Sequence, residues 1–208
     1  MMQDDAGGLA NDARTGVTMT VEIIYESHAL TEDNEQGVAT GWLPGELSEL
    51  GRQRAAELGA RYRHEDLAAV FASDLHRAVE TAQLAFADTS VPVRLDERLR
   101  ECDYGKLNGS LSTVVAKERA KHIDEPFPDG QSYRQVIEAM SEFLHDLAAD
   151  WDGRRVLLIA HSANKWALAC LLDGASIEEL FDTPFDWREG WRYSLPSPWP
   201  SSPARSMS

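Results

Sequence analysis

The sequence predicts an α/β fold with a mainly parallel sheet covered by helices on both faces. Two observations carry this reading. Short apolar runs, "TVEIIY", "AAVFAS" and "RVLLIAH", are rich in Val, Ile and Phe and bounded by polar residues, as buried strands are. Longer segments with helical spacing separate them, and that alternation implies crossover connections between parallel strands.

The first run climbs to Tyr25 and stops at Glu26-Ser27-His28-Ala29, ahead of a polar loop. "LSELGRQRAAELGARY" then places Leu47, Leu50, Ala55, Leu58 and Tyr62 on one helical face. "AAVFAS" is the second strand, and "SDLHRAVETA" carries Arg77 about one turn into the next element. "SYRQVIEAMSEFLHDLAADW" repeats the helical pattern with Val136, Met140, Phe143, Leu144 and Leu147. Ser132, with Gln135 three residues on, marks its start as a capping box. "RVLLIAH" is the third strand, and "ANKWALACLLDG" is a helix stopped at Gly174. "WREGWRYSLP" adds an edge strand, with Trp187 and Trp191 as packing or edge residues.

The 208 residues suffice for one substantial core. A net charge of −15 argues against nucleic acid or an anionic membrane as partner, and any site for an anion has to be locally basic. No apolar run approaches the length of a membrane span. Cys102 and Cys170 form no spaced framework and suit a reducing cytoplasm as small buried hydrophobes. Residues 1–18 read as a disordered extension without a secretory core, with Met19 as an alternative start. Residues 19–195 form the domain, and 196–208 a disordered Pro/Ser-rich tail. Nothing in the sequence decides between a monomer and a homodimer.

In parallel α/β sheets, ligands collect beyond the carboxyl ends of the strands. His28, Ser73 and His161 each end an apolar run, so they converge on one rim. Asn34 lies in the loop after His28, and Glu101 in the irregular segment "RLRECDYGKLNG", where Asp96, Glu97 and Asp103 compete with it. Two imidazoles, a guanidinium and a carboxyl without metal-ligand spacing point to phosphoryl transfer. One imidazole can attack phosphorus. Arg77 can hold two phosphate oxygens in a planar fork. The second imidazole, protonated, adds positive charge, and the carboxyl can protonate the leaving oxygen. His64, His76, His122 and His145 read as surface residues, with His122 near the pocket mouth.

Five blocks, "ESHALTEDN", "TGWLPGELSELG", "SDLHRAVETA", "RLRECDYGKLNG" and "LIAHSANKWAL", together resemble the phosphoglycerate mutase-like branch of the histidine phosphatase superfamily. They keep the family's order and spread over roughly residues 20–172. The resemblance implies a three-layer α/β/α sandwich with His28 as nucleophile. It assigns Arg77 and His161 to the phosphate pocket, Asn34 to a supporting phosphate contact and Glu101 to proton donation. It implies no cofactor and no metal, and a small phosphorylated metabolite as substrate.

The family writes Arg-His-Gly where this chain has Ser27-His28-Ala29. The resemblance thus removes one phosphate-clamping arginine, for which Ser27 substitutes at most a hydrogen bond. Losing one transition-state donor slows catalysis by about 10²–10³-fold. Strand alternation aims Glu26 and His28 to one face and Ser27 to the other. Lys165 is a second departure, at a position where the resemblance implies arginine. The leading reading is a phosphomonoesterase acting through a phosphohistidine, with hydrolysis ranked above mutase chemistry because no further basic contact for a substrate carboxylate stands out. Ser27 keeps two alternatives open: a catalytically weakened binding module, and a repurposed pocket using His28 and Glu101 as acid and base.

Overall fold

The computed structural model describes residues 19–183 and 188–200. Thr20–Ser27 forms β1, followed by a single turn α1 (Glu32–Glu35), a short β2 (Val38–Ala39) and helix α2 (Glu49–Tyr62). Ala69–Ala72 is β3, His76–Phe86 α3 and Val93–Leu95 β4. A long excursion then carries β5 (Ser110–Leu111), α4 (Ser112–Glu118) and a 3₁₀ turn at Arg119–His122. Helix α5 (Tyr133–Asp150), β6 (Arg155–Ala160), α6 (Ser162–Leu172), α7 (Ile177–Asp182) and β7 (Trp191–Pro196) complete the chain.

The main sheet has the order β4-β3-β6-β1-β7. Its first four strands are parallel and β7 is an antiparallel edge. Side chains alternate as the pleat demands. Val21, Ile23 and Tyr25 of β1 face the core cluster of α5 and α6, whereas Ile24 faces Leu58, Tyr62, Ala78 and Ala82 of α2 and α3. This is a three-layer α/β/α sandwich. Helix α5 starts with the expected capping box on Ser132 and buries Val136, Met140, Phe143, Leu144 and Leu147. Each such side chain contributes about 1.5–3 kcal/mol on leaving water.

Three details differ from the sequence reading. Helix α2 starts after Ser48, whose hydroxyl accepts from the Gly51 N–H. Leu47 therefore precedes the helix, fully buried, and Leu50 turns outward at 43% exposure instead of joining the core. The domain also runs past residue 195. Ser197 donates its hydroxyl to the Ala148 carbonyl and its N–H to that of Met19, and Trp199 packs against the core. Residues 1–18 and 201–208, expected to be disordered, and Trp187 lie outside the described residues.

Glycine is required where elements approach closely near the site. A Cβ on Gly51 would stand 1.9 Å from the Leu30 carbonyl oxygen, so α2 can rest on the loop after His28 only through a glycine. No helix among the described residues is long and apolar enough to cross a membrane.

Candidate active site

β1 and β6 are neighbours with Ser27 opposite Ala160, and the His28 N–H extends the ladder by donating to the Ala160 carbonyl at 3.0 Å. The two histidines that follow these strands therefore leave the sheet side by side. Their ring centroids are 5.0 Å apart, with planes inclined at 53°.

His28 is held from both sides. Its Nδ1 stands 2.8 Å from the Ala29 carbonyl oxygen and its Nε2 3.3 Å from the Arg77 Nε–H. The carbonyl can only accept and the guanidinium can only donate, so Nδ1 carries the proton and Nε2 the lone pair. Thr81 of α3 steadies the turn by accepting from the Ala29 N–H and donating to the Arg77 carbonyl. Arg77 is 2% exposed, and its remaining donors reach the carbonyls of Leu43 (3.4 Å) and Gly41 (2.9 Å). It stands behind His28 instead of on the cavity wall.

His161 is the N-cap residue of α6 and is 1% exposed. Its main chain is fixed, the N–H on Asn164 Oδ1 and the carbonyl on the Tyr25 hydroxyl. Neither ring nitrogen has a hydrogen-bond partner among the described residues. Burial, the Arg77 charge and the neighbouring His28 hold its pKa far below the ordinary histidine range. Burial and then Arg77 lower that of His28 to about 3. Burial and the Arg77 charge thus favour the neutral form of both rings. The sequence reading had His161 protonated; an anion at the cavity edge of the rings would have to arrive to favour that state.

The histidines line a cavity of about 710 Å³ together with Ser27, Asn34, Glu101, Ser162, Arg119 and Trp166. Glu101 is buried: its Oε1 accepts from the N–H groups of Cys102 (2.9 Å) and Ala163 (3.3 Å), and its Oε2 from the Ser162 hydroxyl (3.0 Å). Its competitors are used elsewhere: Asp96 pairs with Arg98, Asp103 accepts from Gly105 and Asn108, and Glu97 is exposed. The carbonyl oxygen of Asn34 accepts from the Thr31 N–H, which leaves its amide group for the cavity.

Ser27 lines the cavity, yet its hydroxyl is buried without a hydrogen-bond partner among the described residues. Glu26 turns toward α2, where one oxygen accepts from the Tyr62 hydroxyl (2.6 Å) and from Arg61 (3.2 Å), while burial outweighs these partners and raises its pKa. Ser73 ends β3 but is wholly buried beneath Leu75, off the cavity wall. His122 packs on the Phe127 ring instead of lining the mouth, and the Lys165 ammonium sits 5.7 Å from the Trp191 ring centroid. Sequence reasoning missed Ser162, Arg119 and Trp166. Ser162 was adjacent to a named histidine, but Arg119 and Trp166 carried no local signal.

Among the described residues, one surface group has ligand atoms within 4.8 Å of one another, Glu46, His76 and Glu80. None of the three is on the cavity wall.

Comparison with known proteins decides the lineage. The family model for the histidine phosphatase superfamily (branch 1) matches residues 27–188. The chain belongs to this superfamily. Its curated relatives include a putative phosphoserine phosphatase 2 of Hydrogenobacter thermophilus, 26% identical over 76% of this chain and 82% of that protein. A 2,3-bisphosphoglycerate-dependent phosphoglycerate mutase of Methylobacterium is 29% identical over 76% of this chain and 83% of the mutase. Among solved structures, Bacillus stearothermophilus YhfR superposes with a TM-score of 0.73 at 24% identity, covering 87% of this chain and 98% of that one. A mycobacterial glucosyl-3-phosphoglycerate phosphatase structure with VO3 gives 0.67 at 23% identity, over 88% and 100%. As a member of this superfamily the chain has both phosphatases and mutases for relatives, and the superposed structures share its sandwich.

Proposed function

We propose that the protein is a phosphomonoesterase acting on a small phosphorylated metabolite through a phosphohistidine at His28. The observation that carries this is the buried His161 ring, with neither nitrogen partnered among the described residues, facing His28 at 5.0 Å on the wall of the cavity. A buried polar ring without a partner is costly unless a ligand supplies one. A tetrahedral dianion at the cavity edge of the two rings would accept from His161, with the Arg77 charge acting on it from behind His28.

In the proposed reaction the Nε2 lone pair of His28 attacks phosphorus and the bond to the ester oxygen breaks. Glu101 gives its proton to that leaving oxygen. Water then attacks the phosphohistidine with Glu101 taking its proton, the P–N bond breaks, and phosphate departs. Asn34 supports the phosphoryl oxygens through its amide group. The two cysteines are unpaired, which supports a reducing cytoplasm as the setting.

A second reading has its own observation. Position 27 puts a partnerless hydroxyl where a guanidinium would neutralise phosphate, which favours a weakened catalyst or binding module. A phosphate-release screen over many metabolites, with His28→Ala as the blank, separates the two. Release that depends on His28 supports the esterase. Tight oxyanion binding without release supports the binding module.

A further inference from the structure

The two oxygens of the Glu101 carboxyl have different partners. Oε1 accepts from two main-chain N–H groups, those of Cys102 (2.9 Å) and Ala163 (3.3 Å). An N–H can only donate, so with both directions taken a proton on this carboxyl resides on Oε2. Among the described residues Oε2 has one hydrogen-bond partner, the Ser162 hydroxyl at 3.0 Å. A proton on Oε2 therefore has that hydroxyl as its acceptor.

Ser162 is the first residue of α6, and a serine at a helix start ordinarily serves as a cap. Here that task is taken by others. The Ala163 N–H is satisfied by Glu101 and the His161 N–H by Asn164 Oδ1. Asn164 Nδ2 also donates to the Arg100 carbonyl (3.2 Å), and Trp42 Nε1 to the Glu101 carbonyl (2.6 Å). The segment carrying Glu101 is thus tied to the start of α6. The Ser162 hydroxyl is left to Glu101 and to the cavity, whose wall the half-buried Ser162 shares with His28 and His161.

A hydroxyl both donates and accepts, so this bond can run in either direction. With Glu101 ionised, Ser162 donates to Oε2. With Glu101 protonated, the Oε2 hydrogen is donated to Ser162, and the serine hydrogen turns into the cavity.

We infer that Ser162 is a further catalytic residue, a relay that carries the proton between Glu101 and the reacting oxygen. This inference rests on the esterase reading above. As the ester P–O bond breaks, its electron pair stays on the leaving oxygen, which takes the Ser162 hydrogen. Ser162 Oγ takes the Oε2 hydrogen in turn, the alcohol departs, and Glu101 is left a carboxylate. In the second half the movement reverses. The attacking water bonds phosphorus and gives a proton to Ser162 Oγ, the serine hydrogen returns to Oε2, and the P–N bond breaks.

The test compares ethyl phosphate with p-nitrophenyl phosphate in wild type, Ser162→Ala and Ser162→Thr. Ethoxide needs a proton to depart, whereas p-nitrophenolate leaves without one, and kcat/KM reports the steps up to that departure. Ser162→Ala should lower kcat/KM on ethyl phosphate by about a hundredfold, the lower end of what a positioned proton donor contributes. It should lose far less on the aryl ester. Ser162→Thr keeps the hydroxyl and should recover most of the loss. A second measurement needs no variant: the wild-type kcat/KM on ethyl phosphate in mixtures of light and heavy water. The plot against deuterium fraction should curve, because two protons move together. A linear or flat plot would overturn the relay while leaving the esterase standing. Equal losses of Ser162→Ala on both esters, with threonine no better than alanine, would also overturn it, reducing Ser162 to a support for Glu101. A wild type that hydrolyses neither ester would overturn the relay and the esterase together.

Discussion

Arg77 donates through Nε to Nε2 of His28 at 3.3 Å, on the nitrogen opposite the one bound to the Ala29 carbonyl. The guanidinium thus touches the atom proposed to attack phosphorus, and it depresses the pKa of that ring after burial does. It does two jobs, holding a neutral, aimed nucleophile and offering charge to the phosphoryl group.

Arg77→Ala should lower kcat/KM on a generic phosphate ester by about 10²–10³-fold, the usual loss with one transition-state donor. Arg77→Lys should recover little, because an ammonium cannot reach His28 and the carbonyls of Gly41 and Leu43 together. Steady-state kinetics on folded variants checks both, and full recovery by lysine would reduce Arg77 to a point charge.

Ser27→Arg should raise turnover on a generic ester by about ten- to a thousandfold, the reverse of that loss, discounted for a pocket adapted to serine. Position 27 is on the cavity wall, so the longer side chain has an outlet. A paired assay of folded wild type and variant measures it. Unchanged rates would mean that residue 27 does not reach the phosphate.

Much of the fold was legible because the three core strands are short, apolar and buried on both faces. Helix α5 combined a capping box with an unbroken apolar stripe. β4 was not legible, since Val93–Leu95 is three residues long and exposed throughout. Leu50 misled because the periodic pattern began before the helix did, and only Ser48 marked the true start. The residues at the candidate site were readable where they end strands, as His28 and His161 do. Arg119 was not, because its place on the wall depends on how the α4 excursion folds back over α6.

The pH dependence of oxyanion binding follows from the two depressed histidines. Tungstate is a dianion throughout the neutral range and favours the imidazolium form of each ring, so binding should take up protons. Affinity should therefore rise as pH falls from about 6.5 toward about 3, the interval between the ordinary histidine value and that of His28. Calorimetry in buffers of different ionisation enthalpy measures the uptake directly. For the empty protein the sign is the reverse: rings with depressed pKa stabilise the fold above the ordinary value of 6.5, and that contribution is lost as pH falls toward about 3. His28→Gln should flatten the acid side of the stability profile in proportion. Binding with no proton uptake would show that the rings do not face the anion.

Gly41 supplies the carbonyl that holds Arg77 Nη2, at φ +56° and with a Cβ position 1.8 Å from Asn108 Oδ1. Gly41→Ala should cost both stability and activity. Gly37→Ala, at φ +69° with nothing within 4 Å of its Cβ, should cost only the backbone strain of roughly 1–2 kcal/mol. Thermal unfolding and ester hydrolysis on the pair separate strain from clash, and equal behaviour would remove Gly41 from the support of Arg77.

The most direct measurement is to mix the protein with a labelled phosphate ester, quench in alkali to preserve phosphohistidine, and map the label by peptide mass spectrometry. The account predicts acid-labile label on the peptide containing His28, absent in His28→Ala. Hydrolysis of the ester with no label on His28, or with label on another residue, would contradict it.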